Sequence, residues 1–501
     1  MTYKIILSQD ENPFSKMVSN QTIVEIPEFQ LESGDILYDV PVAYKSWGKL
    51  NKEGNNCMLI CHALTGSTDV ADWWGPMLGR GKAFDPSKFF VICLNSLGSP
   101  YGSASPLTMD KEFNERYGPE FPICTVRDDV NIHKLVLDSL GVKEVAVCIG
   151  GSMGGMLALE WMFVDEGNYV KNVIALATSA RHSAWCISWG EAQRQCIYSD
   201  PKYEDGYYPL EDPPTSGLGA ARMAALLTYR SRNSFESRFG RDSPSAKQTM
   251  KSVSNNPSQQ SITEESSAVE DDTSSLASPK EENWQIHNDG MMRSRKSFES
   301  RHVSRSNSLD STPEPSAPGS PSIQPPTSSE TTPSRNSSLN RQRRKPLHYF
   351  SAQSYLRYQA NKFHTRFDAN CYISITRKLD THDVGRDRPE FDNDSAKALQ
   401  SRKQPALIIG ISSDALFTLS EQIFIAKNLP NSKLKKINSP EGHDAFLLEF
   451  SEVNDMIMEF EKEHLKELME SDDTNSEWTD ELIDAEKKES VFGESEDVAN
   501  W

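Results

Sequence analysis

One stretch limits what this 501-residue chain can become: Val145-Ala146-Val147-Cys148-Ile149-Gly150-Gly151-Ser152-Met153-Gly154-Gly155. A short apolar, β-branched run stops at two glycines. A serine follows, then two more glycines, then the helix-forming run Met156 to Met162. This is G-x-S-x-G between a strand and a helix, the setting of a nucleophile elbow. The serine has to sit on a tight, strained turn, so its neighbours need the smallest side chains. The helix that begins behind it offers unpaired N–H groups and a partial positive charge where an oxyanion would form. The plainer reading is a Gly-rich connection that only packs closely. The strand before the motif and the helix after it favour the elbow.

The flanking sequence places this elbow in a mainly parallel sheet. Thr22 to Ile26 reads as a strand, Phe29 to Leu37 as a hairpin turning at Ser33-Gly34, and Val40 to Trp47 as another strand. Cys57 to Cys61 and Phe89 to Leu94 are continuous apolar runs, as expected of strands buried on both faces. Thr125 to Leu140 has helical periodicity, and Val173 to Thr178 is a further core strand. Strands alternating with helices predict an α/β fold with helices on both sheet faces. After Arg181 the alternation stops. Ala184 to Ile197, Gly219 to Tyr229 and Ser351 to Lys378 read as helices with no strand between them, a cap inserted into the sheet domain. Strands resume at Ala406 to Ile411 and Ser432 to Ile437, and Ser439 to Leu447 leads into a last core helix.

Composition explains the long gap within the cap. Residues 241–340 hold 26 Ser and 10 Pro but only 14 residues from Val, Ile, Leu, Met, Phe, Trp and Cys. Such a segment buries too little apolar surface to offset its ordering entropy, so disorder is expected. Arginines three residues before Ser304 and Ser308, and Ser-Pro pairs at Ser243 and Ser278, fit contact with a kinase; the run Arg341 to Lys345 reads as a solvated linker edge or an import signal. Residues 451–501 carry 18 acidic and 4 basic side chains, net −14, most of the chain's −19, which predicts a mobile acidic tail. That balance argues against nucleic-acid binding. No apolar run is long enough for a membrane span or a signal peptide. The eight cysteines are scattered with no C-x-x-C pair, so no metal site or disulfide framework is expected, and a cytoplasmic location is.

A serine nucleophile needs a base, and the base an orienting carboxylate, in the chain order Ser, Asp or Glu, His. Of ten histidines, His62 and His133 precede the elbow and His182 follows it too closely. His287, His302 and His348 fall in or beside the Ser-rich stretch, His364 and His382 in the cap, and His464 near the acidic tail. His443 alone follows the last strand on a Gly-containing loop. Asp414 stands at the carboxyl end of a buried strand; Asp380 and Asp383 compete on order but not on position. A helix N-cap for Leu416 to Lys427 is the alternative role for Asp414. The oxyanion donors would be the N–H of Met153 and, by position in the loop after strand Cys57 to Cys61, that of Leu64.

Joint order and spacing then point to a family. Tyr44 to Asn51, His62-Ala63-Leu64-Thr65-Gly66, the elbow, Ala221-Arg222-Met223, Ser354 to Gln359, Phe367-Asp368-Ala369-Asn370, Ser413 to Phe417 and Gly442-His443-Asp444-Ala445-Phe446 together resemble homoserine O-acetyltransferases, the acyltransferase branch of the α/β-hydrolase fold. The resemblance runs from about residue 12 to 240 and from 346 to 465. The chain then divides into a core at 12–182 and 401–465 and a helical cap at 183–400; the interruption of the cap at about 241–345 and the acidic tail at 470–501 depart from the compact family pattern, and neither interrupts a motif. The resemblance implies a ping-pong reaction in which Ser152 takes an acetyl group from acetyl-CoA, a co-substrate with no bound cofactor, and passes it to L-homoserine. The product serves methionine synthesis. Arg222 would hold the substrate carboxylate and Asp444 its ammonium group, with Tyr229 a weaker candidate for the pocket wall. A homodimer packed through cap helices is implied too. An esterase or peptidase on the same fold is the rival, since both chemistries pass through an acyl-enzyme. Serine in place of homoserine, or succinyl in place of acetyl, stays open. A non-catalytic scaffold acting through its Ser-rich segment is a poorer fit to an intact triad.

Overall fold

The computed structural model describes residues 3–241, 287–288 and 350–471. Apart from residues 287 and 288 these lie in one compact unit; Asn256–Tyr349 separates as a second. The Ser-Pro and Arg-preceded serines, the run 341–345, and the tail from residue 472 onward all lie outside the described residues.

Nine strands form one sheet: β1 (Lys4–Ile6), β2 (Thr22–Gln30), β3 (Ile36–Trp47), β4 (Cys57–Cys61), β5 (Phe90–Leu94), β6 (Val145–Gly151), β7 (Val173–Leu176), β8 (Ala406–Ile411) and β9 (Ser432–Ile437). Their order is β1-β2-β3-β5-β4-β6-β7-β8-β9. From β5 to β9 all neighbours are parallel, while β1, β2 and β3 add antiparallel strands at one edge. Every residue of β4, β5, β6, β7 and β8 is buried, because helices cover both faces. Their Val, Ile and Leu side chains each contribute roughly 1.5–3 kcal/mol by leaving water. The last strand, β9, is an edge. Lys433, Lys435 and Lys436 sit on it and discourage further strand pairing.

The helices that matter are α1 (Val126–Leu140), α2 (Met153–Trp161), α3 (Ala184–Tyr198), α4 (Thr215–Tyr229), α5 (Arg232–Arg238), α6 (Ser351–His364), α7 (Ala369–Asp380), α8 (Ser395–Gln400), α9 (Leu419–Asn428) and α10 (Phe450–His464). Helix α1 starts in a capping box of Thr125 and Asp128 and stops at Gly141, whose φ is 90°. Among the described residues, α3 to α8 occupy the chain between β7 and β8 without a strand.

Three expectations need correction. The chain does turn at Ser33-Gly34, as expected, but the hairpin's arms are continuous with the flanking strands, so Thr22 to Trp47 forms two long strands. Pro27 is tolerated within β2, and the antiparallel pairing keeps one register from Thr22↔Tyr44 to Gln30↔Ile36. The helical run from Ser351 to Lys378 breaks into α6 and α7, because Asp368 turns its carboxylate onto Cys371 N–H at 2.9 Å and starts a new helix. Finally, Ser439 to Leu447 does not open the last helix directly. A 3₁₀ turn, Gly442–Leu447, comes first and α10 begins at Phe450.

Candidate active site

The elbow lies at the carboxyl end of β6, where the strand runs straight into α2. Its backbone makes the glycines obligatory. A Cβ on Gly154 would meet the Cys61 carbonyl oxygen at 2.0 Å, and one on Gly150 would meet that of Gly154 at 2.1 Å. The turn leaves Ser152 at φ 57°, ψ −123°, a conformation that costs a residue with a side chain about 1–3 kcal/mol. Thr178 Oγ donates to the Ser152 carbonyl at 2.7 Å, and Gln422 donates to the Thr178 carbonyl at 2.6 Å, so the strained turn is held from behind. Ser152 stands at the N-cap position of α2 but makes no cap bond with its side chain. Its Oγ goes elsewhere.

It goes to His443. Ser152 Oγ lies 2.9 Å from His443 Nε2, and His443 Nδ1 lies 2.7 Å from Asp414 Oδ2. With a carboxylate accepting at Nδ1, the imidazole carries its proton there and presents Nε2 as acceptor to the serine hydroxyl. All three side chains are buried. The other oxygen of Asp414 accepts the N–H groups of Leu416 and Phe417, at 2.8 and 2.9 Å. Asp414 thus caps a turn rather than the helix: α9 begins at Leu419, behind Thr418. Burial, the largest influence on His443, pushes its pKa down. The charge and hydrogen bond of Asp414, with Asp444 nearby, push it up by more, and the net shift is above the ordinary 6.5.

The competing groups are occupied elsewhere. Asp380 pairs with Arg194 at 2.8 Å, and Asp383 accepts Gly385 N–H and Ser395 Oγ at 2.7 Å each. His62 is buried with its pKa pushed down to about 4 by burial, and it accepts the Ser96 N–H at 3.0 Å.

Met153 is buried as the first residue of α2, where its N–H has no acceptor within the helix. Leu64 follows β4 and lines the same cavity as Ser152. That cavity is roofed by α3, α4 and α7. Tyr229 lines it, its ring 6.0 Å from the His443 imidazole. Arg222 is fully buried one helical stretch earlier, its guanidinium 5.6 Å from the Tyr229 ring and 4.9 Å from the Phe363 ring. Asp444 follows His443 and forms an ion pair with Arg230, Nε to Oδ2 2.9 Å.

Several wall residues carried no signal in the sequence. Trp189, Gln193 and His182 come from or beside α3; Leu416 and Phe417 come from the loop after β8. The sequence marks His182 only as a base in the wrong place, and Leu416 and Phe417 only within the motif Ser413 to Phe417. Burial lowers the His182 pKa to about 3, so it is a neutral wall residue. Nothing local in the sequence marks Arg230. Among the described residues no group of three or more His, Cys, Asp or Glu side chains converges as a metal site would need.

The arrangement generates a nucleophilic serine beside a covered, partly polar cavity, which suits acyl transfer through a covalent intermediate. A family model described as alpha/beta hydrolase fold matches residues 56–286. Homoserine O-acetyltransferase of Schizosaccharomyces pombe is 54% identical over 500 residues, covering 99% of this chain and 96% of its own length. That of Saccharomyces cerevisiae is 54% identical over 493 residues, covering 98% and 96%. Among solved structures, esterase E22 superposes with a TM-score of 0.63 at 21% identity, over 88% of this chain and 99% of its own. That similarity establishes the fold.

Proposed function

The chain belongs to the homoserine O-acetyltransferase family, built on the α/β-hydrolase fold, and on that premise we propose that it moves an acetyl group from acetyl-CoA to the hydroxyl of L-homoserine through an ester on Ser152. The observation that carries the chemistry is the Ser152–His443–Asp414 relay, closed at 2.9 and 2.7 Å. Acetylation of homoserine, a step of methionine biosynthesis, is the activity of the relatives that match along nearly the whole chain.

The steps follow from the groups present. His443 Nε2 takes the Ser152 proton as Oγ attacks the thioester carbonyl. The N–H groups of Met153 and Leu64 receive the oxyanion. Collapse breaks the C–S bond, and the departing CoA sulfur takes the proton from His443. Homoserine then enters, its hydroxyl gives a proton to His443, and its oxygen attacks the acetyl carbon. Ser152 leaves and recovers the proton. Arg222 suits the substrate carboxylate because a guanidinium fork matches it, and Asp444 suits the ammonium group. Tyr229 forms part of the wall, between Arg222 and His443. Transfer rather than hydrolysis requires that the acceptor outcompete water, which the roof of α3, α4 and α7 favours.

Two further readings go with this. The enzyme works as a homodimer through its cap helices, supported by Trp185 and Leu227, which stand 55% and 53% exposed on α3 and α4. It works in the cytoplasm, supported by eight cysteines none of which is in a disulfide. No helix among the described residues is long and apolar enough to cross a membrane.

The test is incubation with acetyl-CoA and either homoserine or serine, following CoA release and identifying the product by mass. O-Acetylhomoserine formed in step with CoA is expected. CoA release indifferent to both amino acids would replace this reading with the esterase one.

A further inference from the structure

The junction between α4 and α5 touches the His443 loop more closely than any packing of the roof requires. Gly442 sits at φ 74° with its Cα pressed on the backbone of 229–231: a Cβ there would meet Ser231 N at 2.5 Å and the Tyr229 oxygen at 2.8 Å. Ser231 Oγ donates to the Pro440 carbonyl. Between these contacts lies Arg230, buried and placed just past the end of the helix that bears Arg222 and Tyr229. Its guanidinium reaches both sides of the Gly442-His443 pair at once. Nη1 donates to Glu441 Oε2, and Nε forms an ion pair with Asp444 Oδ2 at 2.9 Å. Glu441 is anchored independently by Ser234 Oγ at 2.7 Å and Arg238 Nη2 at 3.0 Å.

We propose that Arg230 is a positioning residue for acceptor choice: braced on Glu441, it orients the Asp444 carboxylate so that the site prefers an acceptor carrying an ammonium group. The inference rests on the acetyl-transfer reading above. Asp444 and Glu441 are two carboxylates three residues apart on a tight loop, and without a cation between them they repel. A planar guanidinium pairs with both at once, which a lone ammonium cannot do at fixed angle, and so restrains the Asp444 carboxylate. Arg222 and Arg230 lie eight residues apart on one helix and its cap, so one element sets the places of both the cation and the anion that a zwitterionic acceptor needs.

The experiment compares L-homoserine with 4-hydroxybutanoate, which keeps the hydroxyl and carboxylate but lacks the ammonium group. The full chain, Arg230→Gln and Arg230→Lys are each assayed for kcat/KM with both acceptors and for the burst of CoA released without acceptor. For Arg230→Gln, the burst rate is expected within about threefold of the parent, while kcat/KM for homoserine falls about 10²-fold, the scale of a misplaced contact. The value for 4-hydroxybutanoate falls much less, so the preference collapses. Arg230→Lys, which can hold one carboxylate but not span two, lies between, and it decides the matter if circular dichroism shows that the Gln variant does not fold. An equal loss for both acceptors, a burst that falls in step, or an unchanged preference would overturn the proposal. A parent chain whose CoA release ignores homoserine would instead overturn the acetyl-transfer reading, and that is seen before any substitution is made.

Discussion

Ser152 carries two costs that the surrounding residues absorb: a positive φ and a buried hydroxyl whose partner is an imidazole rather than a backbone group. Ser152→Ala keeps the backbone and removes only the oxygen. It is expected to lower CoA release by about 10⁴-fold or more while the melting temperature stays close to the parent's; a drop below tenfold in a folded variant would remove Ser152 from the mechanism. His443 sets the pH response. Its pKa lies above the ordinary 6.5, since Asp414 and Asp444 outweigh burial. The base must be neutral to accept the serine proton, so kcat/KM is fully expressed above that raised pKa and is lost as pH falls through it. The acid limb of the profile is therefore expected to titrate above 6.5. Asp414→Asn, which withdraws the main raising influence, moves the limb downward and cuts the rate by about 10⁴-fold. The stability contribution has the opposite sense: a raised histidine pKa stabilises the fold at low pH and that share disappears as pH climbs past the folded value.

At the scale of elements, the elbow is a joint between β6 and α2 that works only at this separation. Gly154→Ala forces a methyl group into the Cys61 carbonyl. A destabilisation of about 1–3 kcal/mol or failure to fold is expected from urea unfolding; an unchanged midpoint would show that strand and helix are not packed as described. The same joint explains what was legible beforehand. Strands β4, β6 and β8 are legible within a residue or two, because short apolar runs fit strands buried on both faces. The relay is legible because an elbow dictates the order of its partners, which leaves one histidine and one well-placed aspartate. The break between α6 and α7 is not, since Phe363, Phe367 and Tyr372 continue the apolar pattern through it; in space Phe363 stacks on Phe367 and both meet Tyr372 edge-on. The cavity wall was not legible either. Trp189 and Gln193 reach the site only because α3 folds back over it, and Arg230 acquires its role from residues more than 200 positions away. Such contacts leave no local periodicity to read.

For the whole molecule, the long Ser-rich stretch enters and leaves at one place. The Arg241 guanidinium lies 5.1 Å from the Phe350 ring, and Ser351 Oγ donates to the Phe239 carbonyl at 3.2 Å. The chain ends that flank the stretch therefore already meet, and closing them with a few residues costs little loop entropy. A variant with 245–345 replaced by a short Gly/Ser linker is expected to keep kcat/KM within about twofold and to melt within a few degrees of the parent. Loss of activity in a variant that still folds would assign the stretch a part in the reaction. The core and cap, by contrast, act as one device: the sheet domain supplies the relay and Asp444, and the cap supplies the roof and Arg222. In the proposed mechanism the acetyl group rests on Ser152 between its two carriers. Intact-mass spectrometry after mixing with acetyl-CoA alone tests this. One added acetyl group per chain is expected, found on the peptide containing Ser152 and discharged when homoserine is added. A chain that turns over homoserine yet never carries that mass, under rapid quench, would contradict it.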